Sequence, residues 1–82
     1  MENKILVNVI VPVLEENFNV FIPAGKTVES VTKLLRECIS ELSTVSFSDK
    51  ELKLYDSEGR RLGSDRYIKD SGISNGSKII LI

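Results

Sequence analysis

Histidine and tryptophan are missing from this 82-residue chain, and it contains a single cysteine, Cys38. Without histidine the chain lacks the commonest general base and the commonest metal ligand of proteins. One cysteine forms no intrachain disulfide, and no imidazole is present to activate its thiol as a nucleophile. We therefore expect no catalytic residues, no metal site and no cofactor, and we expect that the protein is not an enzyme.

An excess of charge of one sign and a long hydrophobic run are also missing. The 11 basic and 12 acidic residues give a formal net charge of -1, whereas nucleic-acid-binding domains normally carry a basic face. No stretch reaches the roughly eighteen apolar residues that cross a bilayer, and the first residues lack the pattern of a signal peptide. The sequence predicts a cytoplasmic protein, free or held peripherally at a membrane by a protein partner, with no nucleic acid and no direct membrane insertion.

Two alternating runs open the chain. Residues 4–14 place β-branched side chains at every second position, and residues 18–22 alternate again after the polar segment 15–17. Period-two alternation predicts strands with one buried face, and a short polar break between them predicts a hairpin. Pro12 cannot donate a ladder hydrogen bond, so we expect a bulge or an unpaired side there. The side chains predicted to be buried are Ile5, Val7, Val9, Val11, Val13, Phe18, Val20 and Ile22.

A helix of about four turns is predicted next, because apolar residues recur at steps of three and four. Thr27 is expected as its N-cap, since the threonine hydroxyl can accept a free backbone N–H of the first turn. Cys38 falls within the apolar stripe and is interpreted as a small core residue. The stripe consists of Val28, Val31, Leu34, Leu35, Cys38, Ile39 and Leu42.

The second half of the chain predicts two or three further strands. Residues 51–55 alternate, residues 60–62 are a candidate short strand, and residues 77–82 are a final apolar strand. Val45 and Phe47 are expected to close one end of the core.

The resulting order of elements is hairpin, helix, strand, short strand, strand. One helix must cover one face of one sheet, which gives an α+β fold. A β-grasp with the last strand beside the first fits this order, and another strand order fits the periodicity equally well.

The segment Ile68-Lys-Asp-Ser-Gly-Ile-Ser-Asn-Gly-Ser-Lys-Ile-Ile-Leu-Ile82 resembles the end of ubiquitin-like domains. Those domains commonly close with an aliphatic residue, Asp, a Gly-Ile pair, a turn and an apolar strand, and residues 52–62 are similar to the preceding strand-turn-strand. The resemblance covers nearly the whole chain. It implies one ubiquitin-like β-grasp domain over residues 1–82, with a mixed sheet of four to five strands and one helix across one face.

Within that superfamily the chain is most similar to the YukD/EsaB type, the small ubiquitin-like proteins that accompany bacterial type VII (WXG-type) secretion systems. Its bare single-domain length and its Asp70-x-Gly-Ile-x-Asn-Gly76 segment carry this likeness. The resemblance implies a protein-interaction module that serves as a cytosolic accessory component of such a system. Cytosolic domains of membrane proteins in the secretion machinery are the implied partners.

Conjugated ubiquitin-like modifiers and sulfur carriers need a flexible C-terminal Gly-Gly, whereas this sequence reads Ile80-Leu81-Ile82. We therefore expect a non-conjugated module. Two alternatives stay open: a modifier or sulfur carrier whose Gly-Gly tail is missing from this sequence, and a β-grasp domain cut from a larger protein.

The predicted binding site is the sheet face that the helix leaves open. An exposed apolar patch on such a face usually marks a binding site, and tyrosine among aliphatic residues is typical of interfaces. The resemblance implies the same face, because partners contact ubiquitin there. A homodimer through this face is one version of the hypothesis, and a face that stays hydrated and binds nothing is the alternative. The predicted protein-binding residues are Leu6, Ile10, Phe21, Lys53, Tyr55, Ile80 and Ile82.

Overall fold

The computed structural model describes residues 3–42 and 51–82. Within these two ranges, four strands form one sheet in the order β2-β1-β4-β3, and one helix lies across a single face of it. The elements in chain order are β1 (Lys4–Val11), β2 (Glu16–Pro23), α1 (Val28–Leu42), β3 (Leu54–Asp56) and β4 (Lys78–Leu81), with short 3-10 turns at Pro12–Leu14 and Ile68–Asp70.

The central pair of strands comes from opposite ends of the chain. β1 and β4 run parallel, with Val9 opposite Ile79, while β2 and β3 pair antiparallel on the two outer sides. This is the β-grasp order, so the expectation that the last strand lies beside the first is confirmed. The parallel pairing needs a crossover connection, and α1 lies within that connection.

The first strand is shorter than the sequence predicts. It ends at Val11 because Pro12, which fixes its own φ and has no N–H, begins a 3-10 turn instead of continuing the ladder. Glu15 closes the turn in the left-handed region with φ 54°, and β2 starts at the next residue. The turn carries Val13 out of the sheet register and leaves it 58% exposed, so its predicted burial is wrong.

The core lies between α1 and the inward face of the sheet. From the helix it takes Val28, Val31, Leu35 and Ile39, and these pack in one cluster with Val7, Val9, Ile79, Leu81 and Leu54 of the strands. The predicted stripe was too wide: Leu34, Cys38 and Leu42 are exposed. Thr32 is buried in their place, and its hydroxyl donates to the carbonyl of Val28 at 2.7 Å, which satisfies its polar group.

The start of α1 is fixed by three acceptors. The Oγ1 of Thr27 accepts the N–H of Ser30 at 3.2 Å, which is the expected N-cap. The carbonyl of Arg66 accepts the N–H of Val28, and the carbonyl of Ser64 accepts that of Glu29. These bonds tie the first turn of the helix to the segment before the second 3-10 turn.

The third strand is displaced by a few residues from its prediction. β3 covers Leu54–Asp56, and Lys53 continues the pairing because it exchanges two main-chain hydrogen bonds with Ile82, at 2.7 and 3.1 Å. The expected strand at residues 60–62 is present only as a single bridge between Tyr55 and Arg61. The predictions for Val45 and Phe47 lie outside the described residues.

Candidate functional site: the open face of the sheet

Alternate residues of each strand point away from α1 and form the open face. The register fixes which of them are neighbours: Ile80 of β4 lies opposite Ile10 of β1 on one side and opposite Tyr55 of β3 on the other. Directly opposite side chains in a sheet contact each other at Cβ separations of about 5 Å. Ile10, Ile80 and Tyr55 are each half-buried and therefore form one row across three strands, which we call the central row.

Two further predicted residues extend this row. Ile82, which is 50% exposed, follows Ile80 on the same face, and its hydrogen-bonded neighbour is Lys53. The aliphatic stem of a lysine can cover apolar surface while its charge stays in water. Five of the seven predicted residues are therefore contiguous, although Lys53 at the sheet edge also lines the groove between β3 and α1.

Leu6 and Phe21 form a separate pair. They lie opposite each other on β1 and β2, and Phe21 is 67% exposed. Along β1, Leu6 lies four residues from Ile10, a distance of about 13 Å in a strand. The intervening position is polar: the amide of Asn8 donates to Asn19 Oδ1 at 3.0 Å, and Lys78 lies on the other side of Asn8. The sequence had placed all seven residues side by side, whereas the register divides them into two groups.

The rim of the central row is basic. Arg61 is bridged to Tyr55, Lys53 is paired with Ile82, and Lys78 lies two residues before Ile80. Arg61 and Lys78 are not among the residues predicted for this surface. Arg61 could not be found because a single bridge gives no periodicity, but Lys78 follows from the alternation of β4. An apolar row with a cationic rim is complementary to an apolar surface that carries carboxylates.

The turn before β4 holds the open face in register. Leu6 donates its N–H to the side-chain Oδ1 of Asn75 at 2.8 Å, and its carbonyl accepts the N–H of Gly76 at 2.8 Å. Gly76 has φ +87°, a conformation that favours glycine. The Asn75-Gly76 pair therefore sets the start of the parallel β1–β4 pairing that brings Ile80 beside Ile10.

Three further features concern residues 3–42 and 51–82 as a whole. No group of three or more His, Cys, Asp or Glu side chains in this part of the chain is arranged to hold a metal ion. A groove of about 170 Å³ lies between α1 and β3, where Glu29 and Glu51 accompany the cations Lys33, Arg36, Lys53 and Arg61. Within the same residues, no helix is both long and apolar enough to span a membrane.

No protein-family model matches the chain, and no curated protein matches it. Solved structures do. The ubiquitin-like domain of the Arabidopsis thaliana protein At2g32350 is 28% identical, with a TM-score of 0.68; the alignment covers 98% of this chain and 77% of that one. The EccD5 ubiquitin-like domain from Mycobacterium xenopi is 13% identical, with a TM-score of 0.72 and coverage of 98% and 93%.

A third similar structure belongs to a larger assembly. A chain of the MycP5-free ESX-5 inner membrane complex is 13% identical, with a TM-score of 0.70, and the alignment covers 96% of this chain but 20% of that one. These likenesses show the fold, a mixed four-stranded sheet with one helix of the ubiquitin-like β-grasp type.

Proposed function

We propose that residues 1–82 form one ubiquitin-like domain that binds a protein partner through the central row and its basic rim. In this proposal the domain is a non-conjugated, cytosolic accessory component of a bacterial type VII secretion system, resembling the YukD/EsaB proteins. It reaches the membrane by docking on a cytosolic domain of the secretion machinery.

The proposed location of the binding site rests on one observation. Three strands place Ile10, Ile80 and Tyr55 in a single row on the face that α1 leaves open. Interfaces are enriched in tyrosine and in apolar residues at their centre, while charged residues lie at the rim. The central row and its three flanking cations have this composition. The proposed partner surface is therefore apolar at its centre and acidic around it.

The structural neighbours support the kind of assembly in which the domain is proposed to work. The M. xenopi domain is named as part of EccD5, and the ESX-5 structure is described as an inner membrane complex. A chain of this fold therefore occurs in an inner membrane complex, which supports docking of the domain on a membrane assembly. The proposal takes from them only the kind of assembly, because their 13% identity carries no residue-level likeness of a site.

The test is co-purification with membrane proteins. The tagged chain is expressed in its host, membranes are solubilised in detergent, and the captured proteins are identified by mass spectrometry. We expect secretion-system membrane proteins with the wild type, and their loss with the double variant Tyr55→Glu/Ile80→Glu. Two carboxylates at the centre of the row put unpaired charge into an apolar interface and repel an acidic partner, so binding should fall at least about tenfold.

A matched control separates the site from a general charge effect. Compared with the single variant Ile80→Glu, Val13→Glu introduces the same charge at an exposed apolar residue in the 3-10 turn, outside the central row, and should leave capture unchanged. Circular dichroism should show both proteins folded. Equal capture by wild type and double variant would contradict the site, and capture of no secretion component would contradict the assigned system. If Ile80→Glu alone unfolds the domain, Ile80 belongs to the core.

A further inference from the structure

A second surface of the molecule is the free edge of β2. Among the described residues β2 pairs with β1 on one side and with no strand on the other. Natural proteins usually protect such edges with charges, prolines or bulges. The stretch Asn17–Ile22 contains none of these, and Glu16 and Pro23 occur only at the two ends of the strand.

The register shows which main-chain groups point outward. On β1, Leu6 and Asn8 direct their N–H groups toward the β4 side, to Asn75 Oδ1 and to the carbonyl of Ser77. In an antiparallel pair, alternate residues bond to the neighbouring strand and the others point away from it. The residues opposite Leu6 and Asn8 are Phe21 and Asn19, so their N–H and C=O groups point away from β1, toward the free edge. By the same alternation Asn17 does so as well.

The helix also has an exposed apolar flank. Lys33 and Arg36 lie on the flank of α1 that faces β3, where they line the groove. Leu34, Cys38 and Leu42 follow one another at steps of four on the opposite flank of the helix. All three are exposed. Phe18 and Val20 of β2 are themselves only partly buried where they pack against the core.

We propose that the β2 edge pairs with the β2 edge of a second copy of this chain, antiparallel and around a two-fold axis. A symmetric interface brings identical residues together, so it tolerates no uncompensated charge near its axis. The uncharged stretch Asn17–Ile22 meets this condition. The pairing extends the sheet from four strands to eight, twice the number in one copy, and places the two α1 flanks on the same side.

The positions of the outward main-chain groups select the register. Residues whose main-chain groups point to the free edge must lie opposite residues of the same kind in the second copy. Asn19 can therefore lie opposite Asn19 of the second copy, and Asn17 then lies opposite Phe21. This arrangement closes about six main-chain hydrogen bonds. A shift by two residues in one direction would put Pro23 opposite Asn17, and Pro23 has no N–H to donate. A shift by two in the other direction would put Glu15 opposite Phe21, and Glu15 lies outside β2 in the left-handed region. The proposed dimer therefore has Asn19 on its two-fold axis and Phe18 packed against Val20 of the second copy.

The dimer leaves the central row accessible. β3 and β4 lie on the far side of each sheet from β2, and opposite residues of an antiparallel pair point to the same face. Two central rows are then displayed on one side of a continuous sheet, which would raise the avidity for a partner that is itself repeated. The dimer does not depend on the proposed function, because it involves a different edge of the molecule.

Charged substitutions at Asn19, the residue on the proposed two-fold axis, test the register of the β2–β2 pairing. Asn19 is exposed, so Asn19→Lys and Asn19→Glu should both fold; each puts two like charges directly opposite each other in the dimer. Sedimentation equilibrium of the full chain from about 10 µM to about 1 mM, the range of weak association, should show a dimer for the wild type. It should show weakened association for either variant alone. An equimolar mixture of the two should associate about tenfold more tightly than either one, because attraction replaces repulsion.

Ser57→Lys and Ser57→Glu serve as controls, since Ser57 lies in the turn after β3 and away from the β2 edge. Neither should change the association, alone or mixed. A wild type that stays monomeric at every concentration overturns the proposal. So does a dimer that is insensitive to Asn19 charge but lost in Tyr55→Glu/Ile80→Glu, because that dimer would form through the open face.

Discussion

At the scale of single residues, Leu34 and Leu35 are neighbours in sequence with opposite surroundings. Leu35 is 3% exposed in the core, whereas Leu34 is 50% exposed on the flank of α1. Truncating a buried leucine to alanine removes its transfer free energy and leaves a cavity, and costs about 2–5 kcal/mol. We expect Leu35→Ala to lower the free energy of unfolding by that amount, measured by urea denaturation. Leu34→Ala should change it by no more than about 0.5 kcal/mol.

This pair of variants has its own control, because both replace leucine by alanine within one helix and leave helix propensity equal. The measurement belongs at low protein concentration, where association through β2 does not contribute. Equal losses of stability for the two variants would contradict the assignment of the helix faces. A small loss for Leu35→Ala alone would show that the core collapses around the deleted side chain.

The same two residues show what sequence alone can predict at this scale. Both belong to the apolar stripe of α1, and periodicity assigns both to the core. The sheet contacts a narrower strip than the stripe, centred on Val31, Leu35 and Ile39, and leaves the flank uncovered. Thr32 enters the core only because the carbonyl of Val28 accepts its hydroxyl proton. The sheet's position over the helix is tertiary information that a helical pattern does not contain.

At the scale of elements, α1 begins with a cap whose contribution can be measured. The hydroxyl of Thr27 accepts the N–H of Ser30, and replacing an N-cap threonine by alanine typically costs about 0.5–2 kcal/mol. We expect Thr27→Ala to fall toward the lower end of this range. The N–H groups of Val28 and Glu29 keep their main-chain acceptors on Arg66 and Ser64, so only one donor loses its partner.

Thr27→Ser is the control for this prediction, since it retains a hydroxyl that can accept the same hydrogen bond and should restore most of the stability. Thermal unfolding followed by circular dichroism would measure all three proteins. If Thr27→Ser is as unstable as Thr27→Ala, the threonine stabilises the helix through its methyl group and not through the cap.

Periodicity predicted the elements better than it predicted their arrangement. The alternation of Val7, Val9 and Val11 gave the inward face of β1, and that of Ile79 and Leu81 gave the inward face of β4. The pairing of these strands spans some 70 residues, and their order followed only from the resemblance to ubiquitin-like domains. The division of the open face depends partly on that register, because Lys78 joins Asn8 between Leu6 and Ile10 only once β1 and β4 are paired.

At the scale of the whole molecule, the exchange of backbone amide protons should distinguish the two sides of β2. Phe18 and Val20 face Val9 and Val7 at the positions where β1 and β2 bond to each other, so their amides should exchange slowly, through unfolding. Asn19 and Phe21 direct their amides to the free edge and should exchange rapidly at a protein concentration of about 20 µM. At about 1 mM the proposed dimer, a weak association, should slow the exchange of these two amides while Phe18 and Val20 change little.

The alternation itself is the internal control, because four consecutive residues of one strand report two different environments. Amide exchange followed by NMR resolves them individually. Protection of Asn19 and Phe21 that is already high at low concentration would mean that the β2 edge is covered within one chain. Protection that never rises with concentration would contradict the dimer but not the central row. A rise confined to the amides of Asn17, Asn19 and Phe21 would identify β2 as the contact, since an interface on the open face would leave every outward N–H of this edge in water.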